Sequence, residues 1–259
     1  MPSQSFPFLD HPRPLAFAHR GGALEVEENT PAAFAHAASL GFRHVETDVQ
    51  ASSDGVVVVF HDADMARMTG EQARVRDCSF ADLAKIRTRR GELIMRLEDA
   101  LTSFPDLRFN IEPKSDEVVR PLAEAIRRCG AIDRVCVGCF DVRRTLLLRE
   151  LLGERLCWSP GYRGVLGAWL AGWGLPVSVG GFPALQIPPA WRGIPIATPR
   201  FVAAAHERGI QVHVWTIDDE AEMERLLEIG VDGLMSDRPA RLKAVLERRG
   251  QWHGGNTGA

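Results

Sequence analysis

The chain of 259 residues lacks most of the features that assign a protein quickly. It has no G-x-G-x-x-G and no G-x-x-x-x-G-K-[ST], so neither glycine-rich phosphate-binding fingerprint is present. Basic residues are not in surplus. With 31 Lys and Arg against 34 Asp and Glu, the formal net charge is −3, which gives no reason to expect a nucleic-acid partner. No apolar run approaches the length of a membrane span. The N-terminus, MPSQSFPFLDHPRP, has neither the basic nor the apolar region of a secretory signal, so the cytoplasm is the expected compartment. The five cysteines, at 78, 129, 136, 139 and 157, form no disulfide framework. Cys136 and Cys139 have the spacing of a redox or zinc pair. They sit in the strand-like run RVCVGCF, where residues three apart point to opposite faces, and are expected to be small buried residues.

What is present is a regular alternation of strand and helix patterns. After a Pro-rich lead-in over 1–14, Leu15 to Ala18 reads as a buried strand. Asn29-Thr30-Pro31 supplies a capping side chain and a proline at the first helical position, and Gly41 closes that helix. A strand over Arg43–Val49 follows. Ser53-Asp54-Gly55 then predicts a tight turn, with four valines and Phe60 returning along a hairpin that extends this second strand. Counting back from the turn places His61 opposite Thr47, level with Glu46 and Asp48. Further strands are expected at 107–112, 134–138, 155–158, 184–187, 211–215 and 231–235, with helices between them. Residues 162–191 read differently: the stretch is Gly-, Pro- and Trp-rich, and its apolar piece VLGAWLAGWGLP, 165–176, is expected as an insert beside the rim. The tail from 251 to 259 is expected to be frayed. Eight such units in one domain over 15–250 fit an α/β (β/α)8 TIM barrel with a small hairpin extension after strand 2.

In a barrel the C-terminal strand ends meet at one rim. His19, Glu46, Asp48, Glu112 and Trp215 all fall near such ends. Alternation places Glu46 with Asp48 on one face, and Asn110, Glu112 and Lys114 on another. Three carboxylates make a hard-oxygen site suited to Mg²⁺ or Ca²⁺; otherwise they pair with Arg or Lys. Two histidines beside them, His19 and His61, suit acid–base catalysis because imidazole titrates near neutral pH. Arg20 and Lys114 either bind an anionic group or pair with the acids. His36, His44, His206 and His213 are expected to be surface or packing residues.

These residues fall into a series of motifs: His19-Arg20-Gly21, Glu28-Asn29-Thr30, Glu46-Thr47-Asp48-Val49, Asp54-Gly55, His61-Asp62 and Glu112-Pro113-Lys114. Val214-Trp215-Thr216, Gly230-Val231-Asp232-Gly233 and Ser236-Asp237-Arg238-Pro239 continue it. In order and spacing the series resembles the glycerophosphodiester phosphodiesterases over nearly the whole domain. The resemblance implies a (β/α)8 barrel that hydrolyses glycerophosphodiesters to glycerol 3-phosphate and an alcohol with one divalent cation. It implies His19 and His61 as the acid–base pair, with Glu46, Asp48 and Glu112 as metal ligands. Arg20 and Lys114 would then bind phosphate, and Trp215 would line the substrate pocket. Glu27, Cys139, Met95-Arg96 and Ser236 depart from common family residues without touching that set. Two alternatives stand beside this reading. One is a lysophospholipase D, with Leu166, Trp169, Leu170 and Trp173 touching acyl chains or a membrane, against the expectation that the 165–176 segment packs over the barrel. The other is a non-catalytic barrel that binds a phosphorylated ligand.

Overall fold

The computed structural model describes residues 6–255. Eight parallel strands form the barrel wall: β1 Leu15–Ala18, β2 His44–Ala51, β3 Arg108–Pro113, β4 Val135–Gly138, β5 Cys157–Ser159, β6 Ala184–Ile187, β7 Gln211–Val214 and β8 Gly233–Ser236. Each is followed by a helix: α1 Pro31–Ser39, α2 Leu97–Ser103, α3 Val119–Arg128, α4 Val142–Leu152, α5 Tyr162–Gly172, α6 Pro199–His206, α7 Glu220–Glu228 and α8 Pro239–Arg248. The backbone ladder runs β5-β4-β3-β2-β1-β8-β7-β6. Between β5 and β6 a side chain makes the connection, where the Ser159 hydroxyl accepts from the Gln186 amide at 3.0 Å.

Local chemistry sets the element ends. Thr30 caps α1, its hydroxyl accepting from the Ala33 amide at 3.1 Å, and Pro31 pre-sets the first turn. Aromatic packing between helix and wall follows, with Phe34 edge-on to Phe109 at 5.5 Å. The hairpin forms as its turn chemistry requires. Val57–Val59 returns antiparallel along β2, pairing Val49 with Val59 and Ala51 with Val57. The Phe60 amide then donates to the Asp48 carbonyl at 3.0 Å. Continued for two residues, this register sets His61 level with Thr47, as the turn count predicts.

Two expectations are corrected. The 165–176 segment is not an insert on a finished barrel. Most of it belongs to α5, the barrel's own fifth helix, and the apolar composition that obscured it comes from a helix with only Ala168 and Ala171 buried. The lead-in joins the core, with Phe8 buried beneath the barrel among Leu15, Phe17 and His44, whose Nε2 donates to the Phe8 carbonyl at 3.0 Å. Second, the first part of the tail is docked rather than frayed. Trp252 lies edge-on to Phe42 at 5.0 Å, and the Gly255 amide donates to the Gly41 carbonyl. Residues 256–259 of that expected tail lie outside the described residues. Cys136 and Cys139 are buried and free, as expected, with Cys136 opposite Cys157 inside the barrel.

The half-buried Trp252 should contribute less than a core tryptophan. Trp252→Ala is expected to cost about 1–2 kcal/mol, below the ~3–5 of a fully buried Trp. Urea denaturation measures it, and an unchanged midpoint would show the tail to be only resting on the barrel.

Candidate active site at the C-terminal rim

One cavity of about 680 Å³ opens at the C-terminal ends of the strands, within the usual size of a small-ligand site. His19, Arg20, Glu46, Asp48, His61, Glu112, Lys114 and Trp215 all line it. Every residue singled out from sequence is therefore at one place. Parallel pairing puts Asp48 beside Glu112 on neighbouring strands, and alternation along β2 adds Glu46 to the same face. Oxygen atoms of the three carboxylates lie within 4.8 Å of one another.

Such crowding is costly. At this separation two full negative charges repel by at least ~3 kcal/mol, taking an effective dielectric of about 20. Burial and the neighbouring Asp48 push the Glu46 carboxyl up to about 8, and burial likewise raises Glu112. The nearby cations offset only part of this. Lys114 Nζ stands 3.5 Å from Asp48 and 3.4 Å from Glu112, and Arg20 Nε is 3.3 Å from Asp48. Ion pairing between acids and bases, the bland reading of these groups, is thus present but loose. The guanidinium of Arg20 is also held by Glu28 at 3.1 Å. An all-oxygen donor set this close, with too little positive charge beside it for balance, fits a hard divalent cation.

The backbone is bent to serve these groups. Arg20 adopts a left-handed conformation (φ 51°), uncommon for a non-glycine residue, and its amide donates to Glu46 at 3.2 Å. Gly21 follows at φ 80°, where a Cβ would meet that of Ala33 at 2.6 Å, so only glycine fits. Asn29, also left-handed (φ 58°), spans the second carboxylate, donating to Asp48 at 3.1 Å and accepting from the Thr47 hydroxyl at 2.7 Å.

Each histidine is oriented by an aspartate. His19 Nδ1 donates to Asp237 at 2.6 Å, leaving Nε2 3.5 Å from Glu46. Burial alone would lower the His19 pKa, but the Glu46 and Asp237 carboxylates outweigh it and raise the value to about 9. His61 Nδ1 donates to Asp62 at 2.6 Å, and its Nε2 faces Lys114 Nζ at 3.2 Å. Arg67 bridges Asp62 and Glu28, tying the two sides of the mouth together. Sequence reasoning left Asp62, Asp237, Asn29, Glu28 and Arg67 without roles. Asp62 and Asp237 could have been found, since each stands directly after a strand end that carries or faces a histidine. Arg67 carried no such signal.

The opposite wall is apolar: Phe140, Val165, Leu166, Trp169, Trp191 and Ile194 line it. Trp215 joins this wall to the charged side, edge-on to Phe140 at 5.6 Å, and Phe140 stacks on Tyr162 at 4.8 Å. The ribbon Ala190–Trp191/Ile194–Pro195 overhangs it.

An acidic triad, two aspartate-oriented histidines and two cations meet at this barrel rim, a set of groups chemically suited to phosphate esters. Comparison with known proteins gives the same class. The glycerophosphoryl diester phosphodiesterase family model matches residues 19–159 and 166–241, and the chain belongs to that family. A Mycobacterium tuberculosis protein named "Probable glycerophosphodiester phosphodiesterase 2" is 38% identical over 257 residues, spanning 95% of this chain and 96% of its own. A lysophospholipase D of Rattus norvegicus is 25% identical over 274 residues, spanning 88% and 85%. Among solved structures, a phosphodiesterase of Oleispira antarctica in complex with the product sn-glycerol-3-phosphate has a TM-score of 0.75 at 22% identity, covering 91% of this chain and 97% of that one. That last likeness bears on the fold.

The raised values have a consequence for stability without metal. His19 rises from an ordinary 6.5 to about 9, and Glu46 from 4.5 to about 8, so the folded protein binds more protons than the unfolded chain between these limits. Stability through these groups is fully present at low pH and falls as pH rises, for Glu46 up to about 8 and for His19 up to about 9. Chelator-treated protein is expected to melt at progressively lower temperature from pH 5 to pH 9, and added Mg²⁺ or Ca²⁺ should flatten that trend. A metal-independent profile would contradict the site's proposed affinity for a cation.

Proposed function

We propose that this protein is a metal-dependent phosphodiesterase that hydrolyses glycerophosphodiesters to glycerol 3-phosphate and an alcohol. The observation that carries the reading is the convergence of Glu46, Asp48 and Glu112 between two histidines, each held by its own aspartate. The carboxylates would hold one divalent cation, Mg²⁺ or Ca²⁺. When bound, it supplies charge neutralisation for the phosphodiester and for the oxygens that gain charge in the transition state.

The chain's own groups do the rest. Arg20 and Lys114 present positive charge to the same phosphate, and Trp215 shapes the pocket beside it. An ammonium can only donate, so His61 Nε2 bears the lone pair that accepts from Lys114, while Asp62 holds the Nδ1 proton. Once a phosphate draws that ammonium away, His61 is set to take a proton from the nucleophile, either water or the glycerol's neighbouring hydroxyl. His19, flanked by Glu46 and Asp237, keeps both ring protons and is set to protonate the departing alcohol at Nε2.

A second reading rests on the apolar wall. A glycerol and a small head group would leave Leu166, Trp169, Trp191 and Ile194 without apolar contact, whereas an acyl chain would cover them, as the activity of a lysophospholipase D requires. Turnover of glycerophosphocholine against lysophosphatidylcholine separates the two, and strong preference for the lipid selects the second.

His19→Ala and His61→Ala should each lose at least ~10² in kcat, the usual scale for a general acid or base. With a p-nitrophenyl leaving group, which needs no proton, His19→Ala should recover most of its rate and His61→Ala should not. Near-normal turnover in both variants would sink the catalytic reading. Calorimetric binding of Mg²⁺ and of a glycerophosphodiester without any alcohol release would favour a binding barrel instead.

A further inference from the structure

From Leu156 to His206 the chain contains three arginines and no Asp or Glu, in a protein that has more acids than bases, while Arg155 just before it pairs with Asp133. This stretch holds β5, α5, β6, the ribbon and α6. It also holds seven of the eleven most exposed large apolar side chains among the described residues, including Tyr162, Leu166, Trp173, Leu175 and Trp191. The others are Phe140, which stacks on Tyr162, and the scattered Leu24, Leu93 and Leu146. Water-facing apolar groups of this size are normally dispersed; here seven come from one stretch of chain, and Tyr162, Leu166, Trp191 and Ile194 among them line one cavity.

Their position follows from how α5 sits. The carbonyl of Gly172, its last residue, accepts from Arg200 Nε at 2.7 Å, and Trp173 packs beneath that guanidinium at 4.5 Å. Arg200 opens α6 just after the ribbon, so it belongs to the rim end of its helix. The end of α5 therefore meets the start of α6, and α5 rides high toward the rim instead of running down the wall. Trp173 continues into the rim through Trp169 at 5.7 Å, and Arg192 lies over Trp191 at 4.8 Å. Neither Arg163 on α5 nor Arg192 on the ribbon has a carboxylate partner among the described residues.

We propose that this face docks on an anionic lipid bilayer, so that the cavity mouth opens onto the membrane surface. Tryptophan, tyrosine and leucine enter the head-group boundary, and the arginines reach the lipid phosphates with their apolar stems lying along the rings. Charge decides the occupant. A second copy pairing through the same patch would set these arginines against their own counterparts, whereas an anionic leaflet attracts every one.

The test is flotation of the full chain with phosphatidylglycerol–phosphatidylcholine vesicles and with pure phosphatidylcholine vesicles. Binding is expected on the anionic vesicles, at least ~10-fold weaker on the neutral ones, and weakened by salt. Leu175→Glu combined with Val177→Glu, positions outside the cavity lining, should reduce it at least ~10-fold. Unchanged thermal melting shows that this variant is folded, independently of any turnover. Equal binding to both vesicle types, equal binding by the variant, or no binding at all would overturn the proposal. So would self-association that the double substitution abolishes while vesicles stay unbound, which would assign the face to a second copy.

Discussion

The structure is arranged around one electrostatic constraint: three carboxylates on two neighbouring strands, close enough to repel one another strongly. The strands supply this crowding simply by pairing, since parallel register puts Asp48 beside Glu112 and strand period adds Glu46. The surroundings are responses to it. Arg20 takes a left-handed backbone so that both its amide and its guanidinium reach the acids. Lys114 extends from the next turn of chain after β3, and His19 stays protonated between two carboxylates. None of these relieves the crowding fully, which is why the centre fits a dication.

The rim is divided by chemistry. The β1–β3 and β8 ends carry the charged groups, where distances are set by backbone ladders and by the bent Arg20–Gly21 turn. The β5–β6 side is apolar and arginine-rich, with its helix raised against the mouth. A phosphodiester has the same division, a compact anion joined to an alcohol of variable size. Fixed geometry on one side suits the bond that breaks, and a broad greasy wall on the other suits what leaves.

Much of this was legible in sequence because the signals were local. The Ser53-Asp54-Gly55 turn fixes the hairpin register, so His61 could be placed by counting. Strand alternation puts Glu46 with Asp48 on one face of their strand, and Asn110, Glu112 and Lys114 on one face of theirs, and all five line the cavity. What stayed hidden depended on distant partners or on weak periodicity. Asp237 meets His19 across 218 residues of sequence, and Arg67 reaches Glu28 from a one-turn helix inside a polar loop. The α5 helix escapes a sequence reading because its outward side chains are as apolar as its inward ones, so no amphipathic stripe marks it. The docking of Trp252 could not be foreseen either, since a Gly-rich terminal segment gives no hint of the Phe42 ring that receives it.

The β5–β6 seam, stitched by one serine hydroxyl, has a consequence for variation. Elsewhere on the wall, lengthening a connection risks shifting a register that positions a reacting group. At the seam there is no ladder to shift. The family model breaks off at residues 160–165, where the chain leaves β5 and enters α5. A barrel built this way can exchange the panel that meets the alcohol, in length and in greasiness, while the machinery two strands away keeps its spacing.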